Sequence, residues 1–183
     1  MNYTINFYSD WHCGSGLSSG ADLDALVIKD QNRLPFIPGK TMKGLVREAI
    51  EEINEFLPAE EKKTQDAINE VFGKEENVQG CCFFTNAHLD EQLQNEITEN
   101  KLQKYLYRTM ASTAIDENGI ADEHSLRSME VTVPCELKGE IPHVPDDFSS
   151  LFKKGLSFIK RLGQNRNRGL GRCTIKIEEG GAA

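Results

Sequence analysis

The segment that most constrains the fold is LPFIPGKTMKGLVREAI, residues 34 to 50. Pro35 and Pro38 favour an extended or turn backbone there, and each lacks an N–H donor. Apolar residues then recur at the spacing of one helix face: Met42, Leu45, Val46, Ala49, Ile50 and Ile53. We therefore predict a stiff turn followed by an amphipathic helix, with Thr41 as its N-cap residue.

Gly39-Lys40-Thr41 also ends many nucleotide-binding P-loops, but the rest of that motif is missing. A P-loop needs a glycine five residues earlier, where this chain has Leu34, and a flexible loop whose N–H groups wrap phosphates. A triphosphate cradle is therefore excluded. The helix start still offers N–H groups and a positive dipole to an anion, with Lys40, Lys43 and Arg47 nearby. The alternative is a capped helix with ordinary surface lysines.

The rest of the chain predicts an α+β fold. Strands are expected at residues 2–9, 80–87, 129–137 and 173–177, a short extended stretch at 26–28, and further helices at 64–72 and 151–162. Strands with helices on one face of a mostly antiparallel sheet favour a ferredoxin-like (RRM-like) sandwich. We expect a single domain over residues 1–183, with a linker-like tail at 178–183.

Composition indicates a cytoplasmic protein. The five cysteines contain no CxxC pair, which argues against a disulfide scaffold and a structural zinc site. The N-terminus does not resemble a signal peptide, and no apolar run approaches the length that spans a membrane.

The net charge of −8 is unevenly distributed. Residues 148–177 contain no acidic residue and eight basic ones, so the remainder of the chain carries −8 − 8 = −16. Within that basic stretch lies GQNRNRGLGR, residues 163–172, with three glycines and three arginines. Arginine forks suit phosphate, and glycines permit close backbone approach, so we interpret this segment as a polyanion-binding loop. The alternative is a turn whose arginines are merely solvated.

A second glycine-rich loop follows the first predicted strand and spans residues 9–24. Asp22 and Asp24 could hold a hard cation such as Mg²⁺, although two loop acids are often only solvated. His12 and Cys13 are adjacent, which is a poor arrangement for a nucleophile pair, and a histidine that anchors the loop is the simpler interpretation.

Together these motifs resemble the RAMP superfamily of CRISPR-associated proteins. The order is WHCGSG, DLDALVIKD, LPFIPGKTMKGLVREA and GQNRNRGLGRCTI, with VFGKEENVQGCCFFTNAHL between the last two. The family has a histidine-glycine loop, an acidic segment, a Pro-Gly helix start and a C-terminal glycine-rich loop in this order. The stretch from Thr113 to Ile141 is similar to the segment that carries the family's thumb hairpin, here expected at residues 115–129.

The type that the chain resembles is the repeating backbone subunit of type III effector complexes. That resemblance implies binding to guide RNA and complementary target RNA, neighbouring RAMP subunits in a filament or fused array, and no membrane. It also implies a set of RNA contacts, which comprises His12, Lys40, Thr41, Lys43, Arg47, Arg127, Arg166, Arg168 and Arg172.

The resemblance further implies metal-dependent cleavage of target RNA. The aspartate of target-cleaving members aligns with Asp24, which would also be the metal ligand, and Asp22 is the second choice. The cofactor would be Mg²⁺. Two alternatives stay open: a guide-processing endoribonuclease that uses His12 as general acid or base, and a structural RNA-binding subunit without catalysis.

Overall fold

A computed structural model describes residues 1–18, 23–74, 78–122 and 125–178. The strands are β1 (Asn2–Phe7), β2 (Tyr107–Ser112), β3 (Arg127–Thr132), β4 (Glu136–Glu140) and β5 (Cys173–Glu178). The α-helices are α1 (Gly39–Phe56), α2 (Gln65–Phe72), α3 (Glu91–Glu99) and α4 (Asp146–Phe158). Short 3-10 turns lie at Gln103–Leu106 and Arg166–Arg168. The protein is therefore mixed α/β, with antiparallel sheets.

The larger sheet has the strand order β4-β1-β5, and β1 pairs antiparallel with both neighbours. Alternate residues of β1 face the core, as the sequence pattern predicts, and Ile5 lies opposite both Leu137 and Ile175. Tyr3 is paired with Gly139, where an added Cβ would lie 2.4 Å from the tyrosine hydroxyl. Glycine at 139 thus makes room for the buried phenol ring.

Helices α1 and α4 pack against each other and bury their apolar residues in the core shared with this sheet. Gly155 allows close contact, because a Cβ there would lie 3.0 Å from Cγ1 of Ile50. Phe152 extends the core to α2 by stacking on Phe72, with ring centroids 5.4 Å apart. Helix α2 ends at Gly73 and has Thr64 as its N-cap, so the predicted 64–72 helix is confirmed.

Three expectations about secondary structure are wrong. Residues 80–87 form no regular strand, although Thr85 and His88 hydrogen-bond to the backbone of β4. The segment 129–137 is not one strand, because it divides between β3 and β4, which belong to different sheets. The last helix begins five residues earlier and ends four residues earlier than expected, since α4 covers 146–158 rather than 151–162. The polar helix α3, capped by Asp90, was not expected.

Strands β2 and β3 form a separate antiparallel hairpin. Its connecting segment is held partly by its own contacts, such as the bridge between Ile115 and Ala121. Ile115, Ile120 and Leu126 are about two-thirds exposed there. None of the helices in the described residues is both long and apolar enough to cross a membrane.

Candidate nucleic-acid interface

The loops that we predict from the sequence to be functional lie against strand β3. Trp11 exchanges two backbone hydrogen bonds with Thr132, so the histidine-glycine loop begins beside the end of β3. The Asp24 N–H donates to the Ser128 carbonyl, and Glu130 N–H donates to the Ala25 carbonyl. The acidic segment therefore runs along the free edge of β3, opposite its partner β2.

Asp24 is exposed and held in place by β3. Its Oδ2 accepts a hydrogen bond of 2.7 Å from the Ser128 N–H, in addition to the bond that its own N–H donates. One carboxylate oxygen is thereby oriented by the backbone. Asp24 thus presents a fixed negative group at the edge of the hairpin.

The described residues contain no group of three or more His, Cys, Asp or Glu side chains that could hold a metal ion. Mg²⁺ commonly binds through one or two carboxylates together with waters and substrate phosphates. Asp24 alone fits that sparse type of site and does not fit a cage of protein ligands. Asp22, the second choice for the same role, lies outside the described residues.

His12, expected as an RNA contact or as a general acid or base, is fully buried in this structure. Its Nδ1 lies 2.6 Å from the Glu130 carbonyl, and since a carbonyl only accepts, Nδ1 carries the proton. The His12 carbonyl accepts from the Gln164 N–H at 2.9 Å. His12 thus fastens the glycine-rich loop to β3.

The glycine-rich loop, residues 163–172, uses two of its glycines for internal contacts. A Cβ at Gly163 would lie 2.4 Å from the His12 carbonyl oxygen, and one at Gly171 would lie 1.9 Å from that of Leu162. Both also have positive φ, a conformation that favours glycine. Gly169 differs, because it has φ 94° and open space where a side chain would be. Gly163 and Gly171 therefore allow close packing within the chain, whereas Gly169 is exposed.

The arginines of this loop point away from the core. Arg166 and Arg168 are exposed and form no ion pair with the described residues. Arg168 and Arg127 line one cavity of about 390 Å³ where the hairpin strands meet their connecting segment. Arg172 is also exposed, and its guanidinium carbon lies 5.8 Å from the centroid of the Tyr8 ring. The loop and the hairpin together form a basic surface beside Asp24.

The start of α1 differs from the expected anion site. The helix begins at Gly39 after Pro38, and Thr41 is not its N-cap. Gly39 N–H donates to Oδ1 of Asn86, while the N–H groups of Thr41 and Met42 donate to the Pro38 carbonyl. Three first-turn donors are thus occupied within the chain.

The basic and hydroxyl side chains near this helix start have different environments. Lys40 is exposed, and Lys43 is half-buried. The Thr41 side chain forms a hydrogen bond with the Cys13 thiol. That bond lowers the pKa of Cys13, but burial has the larger effect and raises the pKa to about 11. The contact joins α1 to the histidine-glycine loop.

Arg47 forms part of the internal structure. Its Nε, Nη1 and Nη2 donate to Oε1 of Glu51, to the Gly73 carbonyl and to Oδ1 of Asn69, at 2.8 to 3.0 Å. These bonds tie α1 to the end of α2. All three guanidinium nitrogens therefore donate within the chain, and we expect Arg47 to serve stability rather than RNA binding.

One basic surface was missed in the sequence. Lys29, Arg33, Lys101 and Lys104 line a groove next to β3 and the turn after α3. They come from separate segments of the chain, and each by itself resembles an ordinary surface residue. Only the unexpected helix α3 brings them together.

The family model of the RAMP superfamily matches residues 4–174. The chain belongs to the RAMP superfamily. The order of the histidine-glycine loop, acidic segment, helix start and glycine-rich loop in this RAMP protein had indicated the same family.

Two solved structures have the same fold as this RAMP protein. One is described as the "Cryo-EM structure of the Type III-B Cmr-beta bound to cognate target RNA", with a TM-score of 0.70 and 12% identity. The other is the "Type III-B Cmr-beta Cryo-EM structure of the Apo state", with a TM-score of 0.67 and 13% identity. Each comparison covers 96% of this chain and 95% of the other. The search of curated proteins finds no significant match.

Proposed function

We propose that this RAMP protein is a backbone subunit of a type III CRISPR effector complex that binds guide RNA and captures complementary target RNA. The observation that carries the proposal is the basic loop of exposed arginines beside Asp24, in an otherwise acidic chain. The fold shared with subunits of type III-B complexes, one of which holds target RNA, supports it. Partners would be the two RNAs and neighbouring RAMP subunits, in the cytoplasm.

Binding would use the RNA backbone rather than its bases. Arg166 and Arg168 offer planar donor forks to phosphate, and Arg127 extends the same surface onto the hairpin. Attraction to phosphates carries no sequence information, so a subunit of this kind accepts any guide. Screening over about 10 Å keeps the acidic remainder of the chain from cancelling this local attraction.

The topology supports a ferredoxin-like core. In that fold the first strand lies between the last strand and an inner strand, as β1 does between β5 and β4. Residues 85–88 lie on the other side of β4, at the position of a fourth strand. The β2–β3 hairpin, with its exposed apolar residues, would be the thumb that separates bases of the guide–target duplex.

Asp24 would support cleavage of the captured target. The 2′-hydroxyl oxygen would form a bond to the adjacent phosphorus as the bond to the 5′-oxygen breaks, which leaves a 2′,3′-cyclic phosphate. The hydroxyl proton passes to a solvent water during the attack, and the departing 5′-oxygen gains a proton from solvent. Mg²⁺, when bound, supplies positive charge to the reacting phosphate. Asp24 would hold that charge in place, while the chain fixes the nucleotide in the in-line geometry.

The binding proposal is tested with the double variant Arg166→Ala and Arg168→Ala. Its affinity for unrelated RNA sequences should fall by a similar factor for each, because phosphates are common to all. The slope of log affinity against log salt should decrease by about 1.4, at about 0.7 per single-strand phosphate. Lys153→Ala with Lys154→Ala, which removes the same charge from exposed positions on α4, is the control. Loss confined to certain sequences would contradict phosphate binding.

The cleavage proposal is tested on protein loaded with guide RNA, complementary RNA and Mg²⁺. Asp24→Asn keeps an oxygen that can accept from Ser128 and removes the charge, so cleavage should stop while RNA capture persists. If assembled wild-type protein leaves the target intact, the nuclease proposal fails and the binding proposal stands. Cleavage that continues in EDTA would contradict the metal-dependent route.

A further inference from the structure

We propose that the groove beside β3 is a second binding site for an RNA backbone, on the far side of Asp24 from the arginines of the glycine-rich loop. This inference rests on the proposed function, because it concerns the same RNA. The groove has a volume of about 720 Å³. Its lining residues are Lys29, Gln31, Asn32, Arg33, Thr98, Lys101, Gln103, Lys104, Tyr107 and Glu130.

The charge of the groove opposes that of the chain. Four basic residues and one acidic residue give 4 − 1 = +3, whereas the whole chain carries −8. The acid, Glu130, is already used, because its Oε1 pairs with Lys29 Nζ at 2.7 Å and its Oε2 accepts from the Val27 N–H at 3.1 Å. Lys29 is likewise fixed, with Nζ 4.1 Å from the centroid of the Tyr107 ring.

The other three cations remain available to a ligand. Arg33, Lys101 and Lys104 are exposed and have no carboxylate within ion-pair distance among the described residues. Lys104 instead lies over the Tyr105 ring, 4.9 Å from its centroid. An unpaired cluster of like charges is repelled internally, and an anion in the groove relieves that repulsion.

Two of these cations stand on rigid turns. Arg33 has φ 63°, in a turn where Asp30 Oδ1 accepts from the N–H groups of Asn32 and Leu34. The Tyr107 hydroxyl donates to the Arg33 carbonyl at 2.8 Å, which fastens that turn to β2. Lys101 has φ 54° just after the end of α3, where its backbone N–H donates to the Thr98 carbonyl. The groove is therefore bordered by fixed turns rather than by free loops.

The chemistry of the lining favours a phosphodiester strand over a protein partner. Among the described residues, no Ala, Val, Leu, Ile or Met lines the groove, whereas the buried centre of a protein interface is predominantly apolar. The lining instead combines cations with the amides of Gln31, Asn32 and Gln103, which can both donate and accept. Phosphates and ribose hydroxyls are the partners that match both kinds of group.

The groove and the first RNA surface lie on opposite faces of the same strand, β3. Arg127 lies in the cavity with Arg168, Ser128 holds Asp24, and Glu130 borders the groove. A strand advances about 3.3 Å per residue, so these three positions span roughly 10 Å of β3. Side chains alternate between the two faces of a strand, so Arg127 and Glu130 point to opposite faces, and Asp24 lies at the edge between them. Phosphate-binding groups therefore lie on both faces of the strand that holds Asp24.

The test uses the double variant Lys101→Gln and Lys104→Gln, which removes two groove charges and keeps polar side chains. The control, Lys153→Gln with Lys154→Gln, makes the same charge change on α4. Binding of a fluorescent oligouridine would be measured across a salt series, with sedimentation of each protein in parallel. The groove variant should lose about tenfold in affinity at moderate salt, and its salt slope should decrease by about 1.4 relative to wild type.

A groove variant that matches the control would overturn the inference. So would weaker self-association with an unchanged salt slope, because the groove would then hold the acidic surface of a second copy. Wild-type protein that does not bind the oligouridine at all would overturn the proposed function itself. The two failures are distinguishable, since the first leaves wild-type binding intact.

Discussion

The helix start at residues 38–47 and the glycine-rich loop at 163–172 combine the same residue types, glycine with basic side chains, yet the fold uses them in opposite ways. At the helix start the first N–H groups and the Arg47 guanidinium find acceptors within the chain. In the loop Arg166 and Arg168 remain exposed. The composition of both segments suggests anion binding. The two segments differ in whether hydrogen-bond acceptors of the same chain lie within reach of their donors.

The difference has a physical origin in the surroundings of each segment. The helix start lies against residues 84–86 and the end of α2, which present carbonyl and amide oxygens to it. The loop joins α4 to β5 at the surface, and most of its hydrogen bonds to the rest of the chain are made by its backbone. Buried hydrogen-bond donors need acceptors within the chain, whereas exposed donors can bind water or a ligand.

Gly39→Ala should produce the largest effect at the helix start. A Cβ at that position would lie 2.0 Å from the Phe84 carbonyl oxygen, so the packing must shift. We expect a loss of about 3 kcal/mol in the free energy of unfolding, measured by denaturant titration.

Gly44→Ala is the matched control for that substitution. Gly44 lies on the same helix with open space around its Cα, and alanine there should stabilise by about 1 kcal/mol. Equal effects of the two substitutions would show that the helix start is not packed as described.

Arg47→Ala should rank next and should affect stability rather than RNA. Removing three hydrogen bonds leaves the Asn69 and Gly73 oxygens without that donor, at a cost of about 2 kcal/mol. RNA affinity, measured well below the melting temperature, should stay within twofold of wild type. Arg168→Ala should give the reverse pattern, with weakened binding and less than about 0.5 kcal/mol lost.

Gly169→Ala should cost about 1 kcal/mol, because its φ of 94° strains any other residue although space is available. A thermal melt would measure this loss. RNA affinity should fall only slightly, since the flanking arginines remain. A loss of stability as large as that of Gly39→Ala would contradict the view that this glycine lies outside the packed structure.

Lys40→Ala should have the smallest effect. Lys40 is exposed, so the free energy of unfolding should change by less than about 0.5 kcal/mol. If Lys40 contacts one phosphate, the salt slope of RNA binding should decrease by about 0.7. A decrease larger than that of Arg168→Ala would reverse the ranking of the two regions.

Local patterns were sufficient to predict parts of the fold. Alternation identified β1 and β5, and Thr64 with Gly73 identified the ends of α2. The apolar pattern gave a wrong prediction at residues 80–87, where apolar residues pack in the core without forming a regular strand. Helix α3 was missed because few of its residues are apolar, although Asp90 is a recognisable cap.

The site was less predictable than the fold, because its contacts are distant in sequence. The sequence pointed to the glycine-rich loop and Asp24 as candidates, whereas the contacts of Arg47 and His12 depend on acceptors 22 to 118 residues away. No local pattern reveals such acceptors. The groove was missed for the same reason, since its cations become neighbours only after folding.

The hairpin loop has a consequence for how this protein can vary. Its described contacts are mostly local, as in the Asp116 turn, where Ile120 N–H donates to Asp116 Oδ1. Doubling the length of a flexible loop costs only about 0.6 kcal/mol in closure entropy. Selection could therefore lengthen or shorten the hairpin to set how far it extends from β3, while the residues around Asp24 keep their positions.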